Sequence, residues 1–321
     1  MISRRLFLQG LGAAALSSMS TAAYAIGVEP FRMRIQSHYL TPPNWPDDLR
    51  LKAALIADPH ICDPWMGLDR VRFIVERTNA LKPDIVLMLG DYVASHRWQS
   101  APVPTQAWTD LFANFDAPLG THAILGNHDW WDDDEAQKTG TGPTKNGRAL
   151  LNAGIELYQN RAVRLSKDGK PFWLAGLDDQ LALAPSRQLN RRGIQGVDDL
   201  SGTLRQVTDD APVVLMAHEP NIFRAVPSRV SVTLSGHTHG GQVNCFGIKP
   251  FNLLKPDENL SYGHIIDTAG TQVGRHQNRA PVERHLVVSG GLGCSLLPVR
   301  FGVPPEITVV HLGSNAPAAS T

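Results

Sequence analysis

Seven side chains with metal-ligating chemistry fall in five short clusters. Asp58 and His60 form Asp-Pro-His, and Asp91 follows Gly90. Asn127 opens Gly126-Asn127-His128-Asp129. His218 ends an apolar run, and His237 and His239 lie in Gly236-His237-Thr238-His239-Gly240-Gly241. The set offers two carboxylates, one amide oxygen and four imidazoles, with no thiolate. Such N and O donors suit Mn, Fe or Zn, and there are enough of them for two divalent ions. Two ions held a few ångströms apart polarise a phosphate and activate water for in-line displacement. Asp-x-His or Gly-Asp alone is a weak signal. The strength lies in all five clusters occurring in order, each after a buried strand.

The preceding runs are Leu51–Ala57, Ile85–Leu89, His122–Leu125, Phe172–Ala175, Val213–Ala217, Val230–Leu234, His285–Val288 and Ile307–Val310. Most are apolar throughout and end at Gly, Asp or His, as strands covered on both faces do. Val71, Ile74, Val75, Thr78 and Leu81 repeat with helical spacing, and that helix should stop before Pro83. Trp108, Leu111, Phe112 and Phe115 repeat it, as do Ile222, Phe223 and Val226 more briefly. Alternating strands and helices give an α/β layered fold, which presents its ligands at the C-terminal ends of the strands. No internal repeat or linker divides the chain. One domain is expected over 29–313, then a mobile small-residue tail over 314–321.

Of 321 residues, 30 are Lys or Arg, 30 are Asp or Glu, and 42% are hydrophobic. That apolar content with zero net charge excludes a wholly disordered chain. The lack of a basic excess argues against a nucleic-acid partner. No apolar stretch is long enough for a multi-span membrane protein. The N-terminus has the three parts of an export signal: Arg4-Arg5, a mildly apolar run from Leu6 to Met19, and Ala23-Tyr24-Ala25. The arginine pair before Leu6-Phe7-Leu8 resembles a twin-arginine (Tat) signal over 1–25. It would be cleaved after Ala25 or kept as an anchor, and it places the chain in the periplasm or cell envelope. Cys62, Cys245 and Cys294 are an odd set, expected to be small buried apolar groups.

In this order the clusters resemble the signature of the calcineurin-like metallophosphoesterases, over roughly residues 50 to 312. Gly236 to Gln242, Gly291-Leu292-Gly293 and Leu297 to Ile307 are similar to the exported phosphodiesterase branch typified by YkuE and YaeI. The resemblance implies a four-layer α/β/β/α sandwich with Asp58, His60 and His239 on one metal. Asn127, His218 and His237 would hold the other, with Asp91 bridging. It implies attack by metal-bound hydroxide, proton donation by His128 to the leaving group, and orientation of His128 by Asp129. The expected substrate is an envelope phosphodiester: a phospholipid, a nucleotide-sugar lipid or a wall polymer. The alternatives are a phosphomonoesterase or nucleotidase, or a metal-binding protein without turnover. Loading before export favours Mn over Fe or Zn.

Other residues carry weaker expectations. Arg300 is a candidate for a substrate phosphate, against a role as a surface clamp. Asp178 and Asp179 either orient ligand histidines or cap a helix. Trp130 and Trp131 either wall the site or pack in the core. Asp132 to Glu135 reads as a solvated helix start. Phe246, Ile248, Phe251, Leu253 and Leu254, with Lys249 and Lys255, suggest an apolar lip over 246–255 that meets a membrane, or else a loop packed on its own domain.

Overall fold

The eight apolar runs become the eight interior strands of two six-stranded sheets. Side chains alternate across a strand, so each run feeds two apolar layers. The computed structural model describes residues 4–94, 96–250, 260–268 and 283–313. The tail 314–321 and Phe251, Leu253, Leu254 and Lys255 lie outside the described residues.

The strands in chain order are β1 (Arg34–Leu40), β2 (Leu51–Ile56), β3 (Ile85–Met88), β4 (Thr121–Ala123), β5 (Glu156–Leu157) and β6 (Arg161–Lys167). They continue as β7 (Lys170–Gly176), β8 (Val213–Met216), β9 (Val232–Ser235), β10 (Gly263–Asp267), β11 (Arg284–Val288) and β12 (Glu306–Leu312). The first sheet has the order β1-β12-β2-β3-β4-β5 and the second β10-β11-β9-β8-β7-β6. β2, β3, β4 and β5 run parallel, with Leu55 beside Leu87 and Leu87 beside His122. β7, β8, β9 and β11 are parallel in the second sheet. The loops after β2, β3 and β4 therefore leave one end of the first sheet together, and those after β7, β8 and β9 leave one end of the second.

Leu55, Leu87, Val214, Met216, Leu234 and Val287 fill the layer between the sheets. The alternate residues Ala54, Ile56, Val86 and Met88 face α2 (Leu68–Ala80) and α3 (Thr105–Phe112). On the other outer face Val213, Leu215, Leu286 and Val288 pack against Phe223 and Val226. This is the expected four-layer α/β/β/α sandwich. Each fully buried Leu or Val contributes about 1.5–3 kcal/mol before entropy is counted.

The strands that the apolar runs do not announce are β1, β5, β6 and β10, and these are the four sheet edges. An edge is half solvated and needs no continuous apolar run, as Arg161–Lys167 illustrates. The helix over 71–81 appears as α2 and ends at Ala80, ahead of Pro83. The brief pattern around Ile222 is a 3-10 turn, Pro220–Arg224, because only 15 residues separate β8 and β9 and two prolines bound it. Asp133 caps the helix Asp134–Thr139, accepting from Glu135 N and Ala136 N, so the acidic run starts a helix as expected, with Asp133 itself buried rather than solvated. The N-terminal segment Arg4–Gly27 is helix α1, and among the described residues no helix is long and apolar enough to cross a membrane.

Candidate metal centre

The seven expected ligands lie where the strands stop. Asp58, His60, Asp91, His237 and His239 all have positive φ, between 42° and 67°. Non-glycine residues avoid this region, and clusters of it mark functional sites. Cross-loop bonds hold it here: Asp58 N–H donates to Gly90 O at 3.1 Å, His60 N–H to Asp91 O at 3.1 Å, and Gly236 N–H to His218 O at 3.0 Å. Gly126 permits the close approach, since a Cβ there would lie 2.4 Å from Asp91 Oδ1 and 2.7 Å from His218 Cε1.

Two groups of donors form around Asp91. Asp58, His60 and His239 lie together, as do Asp91, His218 and His237, the ligand atoms of each group being within 4.8 Å of one another. His60 Nε2 is 3.5 Å and His218 Nε2 3.3 Å from Asp91 Oδ2. His239 Nε2 is 3.7 Å from Asp58 Oδ1. Asn127 Oδ1 is 3.1 Å from His237 Nδ1, which brings the amide into the second group.

The donor chemistry fits cations. Asp58 Oδ2 and His218 Nε2 are buried without a hydrogen-bond partner, an expensive state unless something binds them. His218 Nδ1 lies 2.6 Å from Leu89 O and His60 Nδ1 3.3 Å from Val93 O. A carbonyl only accepts, so both rings carry the proton on Nδ1 and turn an Nε2 lone pair inward. Burial, reinforced by the neighbouring Asp91 charge, holds the Asp58 carboxyl up at about 7. Burial lowers His60 to about 3 and His237 to about 4, keeping them neutral as ligands. At Asp91 burial opposes ionisation, but the facing His218, His128 and His60 hold it well below the usual carboxylate range. His218 is held up by Asp91 against its own burial. A metal ion bound at this cluster would displace that proton and supply the positive charge that the carboxylates demand.

His128 and Asp129 sit in the helix Asn127–Trp131. His128 N–H donates to Asp91 Oδ1 at 2.9 Å, and its ring stands edge-on to His60 at 5.0 Å with Nε2 3.5 Å from Ser295 Oγ. The expected orientation of His128 by Asp129 is replaced by another contact set. Asp129 Oδ2 accepts from Asp91 N and Gly126 N, and Oδ1 from Tyr92 N and Asn146 Nδ2. The carboxylate is saturated by groups other than the imidazole, and it ties the Asp91 loop to the Asn127 turn. Arg300, expected at a substrate phosphate, is fully buried instead. Its guanidinium donates to Gly290 O, Gly293 O and Val303 O and lies 3.2 Å from His239 Nδ1, behind the ligands.

Asp178 accepts from Trp130 Nε1 and Gln159 Nε2, so it anchors the core tryptophan. Trp130 is buried, whereas Trp131 lies 5.3 Å from the His128 ring. Asp179 and Glu219 group with His218, all buried. Glu219, Asn146 and Ser295 escape the sequence reading. Only Glu219 carries a local signal, by adjoining His218. All three cysteines are free, and Cys245 is exposed rather than buried because it lies on a surface turn.

The Calcineurin-like phosphoesterase family model matches residues 51–241. The chain is 29% identical to the uncharacterized metallophosphoesterase YkuE of Bacillus subtilis, over 98% of this chain and 99% of that protein. It is 27% identical to phosphodiesterase YaeI of Escherichia coli, over 97% of this chain and 100% of that protein. Among solved structures, the NAD nucleotidase of Haemophilus influenzae matches with a TM-score of 0.44 and 12% identity. That match covers 76% of this chain and 46% of the other, so this chain spans about half its length.

Proposed function

The chain belongs to the calcineurin-like phosphoesterase family, as a metal-dependent phosphoric ester hydrolase, and from that premise we propose that it is a phosphodiesterase acting on a phosphodiester of the cell envelope. The observation that carries the site assignment is the convergence of unpartnered buried donors, Asp58 Oδ2 and His218 Nε2, on a cluster of neutral imidazoles. The family binds two divalent metals. Asp58, His60 and His239 would hold one here and Asn127, His218 and His237 the other, with Asp91 available to both. When bound, the pair supplies Lewis acidity toward phosphate oxygens and lowers the pKa of water.

The chain's own residues do the rest. Leu89 O and Val93 O fix the His218 and His60 tautomers. Asp129 locks the loop that carries Asp91 to the turn that carries Asn127. His128, with its backbone pinned to Asp91, presents its ring at the edge of the cluster and gives a proton to the departing alkoxide. The likeness to a phosphodiesterase over nearly the whole chain supports diester over monoester hydrolysis. Arg4-Arg5 and Ala23-Tyr24-Ala25 support Tat-type export to the envelope, and loading before export supports Mn.

The test is to purify the chain with its native metals, quantify them, and assay an aryl phosphodiester beside the corresponding monoester. Two Mn per chain with preferential diester turnover is the expected result. Preferential monoester turnover would overturn the diester reading.

A further inference from the structure

The most exposed large apolar side chain on the described surface belongs to Phe246, at 102% relative accessibility, and two residues on Ile248 is at 71%. Both sit on a built turn. Cys245 and Ile248 exchange backbone hydrogen bonds at 2.9 and 3.0 Å. Phe246 and Gly247, between them, have φ of 51° and 91°, the positive pair of a tight two-residue hairpin. Asn244 Oδ1 also accepts from Gly247 N. The turn is thus held in shape while its side chains meet no described neighbour that would bury them.

Its position matters. The base of the turn pairs with Phe301: Val243 bridges to it, and Asn244 N–H donates to Phe301 O at 2.7 Å. Phe301 also meets the Tyr24 ring edge-on at 6.4 Å, at the end of the N-terminal helix, and Arg300 N–H donates to Ala25 O. That helix leaves Leu16, Met19 and Ile26 exposed. On the other side Gln242 bonds Ser295 N and Leu297 O, so that Leu296, 57% exposed, projects beside it. Ser295 Oγ is the group that stands 3.5 Å from His128 Nε2. A chain of direct contacts therefore joins the proton-donating edge of the metal centre to an apolar rim of Phe246, Ile248 and Leu296.

Isolated exposed apolar residues need no explanation, but a group tied by direct contacts to the edge of a site does. We propose that this rim seats in the surface of a phospholipid bilayer, so that the centre opens toward a phosphodiester at headgroup depth. With the N-terminal segment kept as an anchor, its contacts with the base of the turn through Phe301 and Arg300 select a bilayer over a protein partner. The depth of a two-residue turn suits interfacial insertion rather than crossing. The proposal rests on the envelope-phosphodiester reading for its substrate. The seat on the bilayer is tested separately.

Cys245 provides the probe, being the exposed thiol beside Phe246 while Cys62 and Cys294 are buried. The full chain is labelled there with a nitrobenzoxadiazole thiol reagent and mixed with phosphatidylcholine–phosphatidylglycerol vesicles. The expected result is a blue shift and brightening, quenched by lipids spin-labelled near the headgroup. Phe246→Ser with Ile248→Ser should abolish that response. It should also slow hydrolysis of a vesicle-borne diester by at least about tenfold, and leave turnover of a soluble aryl diester unchanged. Vesicle flotation with unchanged probe emission would mean that the N-terminal helix alone brings the chain to lipid, and would overturn the proposal. If the emission responds but no diester is hydrolysed, the phosphodiesterase reading fails and the seat on lipid stands.

Discussion

Four hydrogen bonds converge on the buried Asp129 carboxylate, whereas the Phe246 side chain, beyond Gln242 at the rim, is buried by nothing described. The two places obey opposite rules. In the floor both Asp129 oxygens are committed to the loop amides and Asn146, and the backbone is held in otherwise unfavourable φ. At the rim the backbone is satisfied and the apolar side chains are left over. The floor's unmet demand is for positive charge, and the rim's is for apolar cover.

Substitutions can break this contrast, beginning with the largest effect. Asp91→Asn removes the charge that both donor groups share. Turnover should fall below detection and metal content should drop, checked by elemental analysis of the purified variant. Wild-type turnover would show that Asp91 is not central. His128→Ala should keep its metal but lose about 10²- to 10⁴-fold in kcat on diesters with poor leaving groups. The loss should shrink for a nitrophenyl ester, whose oxygen departs without a proton. Equal losses on both esters would remove the proton-donor role.

Asp129→Asn tests the floor itself. One carboxylate oxygen becomes an amide NH2 facing donors, which should cost about 1–3 kcal/mol for the unsatisfied groups. Denaturant unfolding reads this, and metal affinity should weaken because the Asp91 loop loosens. Had Asp129 served only to orient His128, stability would not change. The smallest expected effect is at the rim: Leu296→Ser should alter thermal stability and soluble-diester turnover little, since the residue is over half exposed. A large loss on the soluble ester would place Leu296 in the catalytic machinery rather than at its edge.

Interior structure was legible from residue order. All eight continuous apolar runs are interior strands, because a strand covered on both faces has no room for polar side chains. The four edges were not, since Arg34–Leu40 and Arg161–Lys167 are stabilised by pairing and not by composition. The ligand clusters were visible because each closes an apolar run. The roles of Asp129 and Arg300 were not. Asp129 adjoins His128 in sequence, yet the helix beginning at Asn127 directs its carboxylate to backbone amides of the Asp91 loop. Arg300 reads as an available cation until the carbonyls of Gly290, Gly293 and Val303 take up its donors.

The amino-acid order thus determined the strand set and the donors that terminate it, because burial periodicity and ligand chemistry are local properties. Tertiary structure decided which atoms face each other: the Nε2 lone pairs turned inward by Leu89 O and Val93 O, the Asp129 clamp, and the contacts carrying the centre to the rim at Phe246. Those depend on loops from two sheets meeting at one edge, and residues such as Asp58 and His237, 179 positions apart, meet only there.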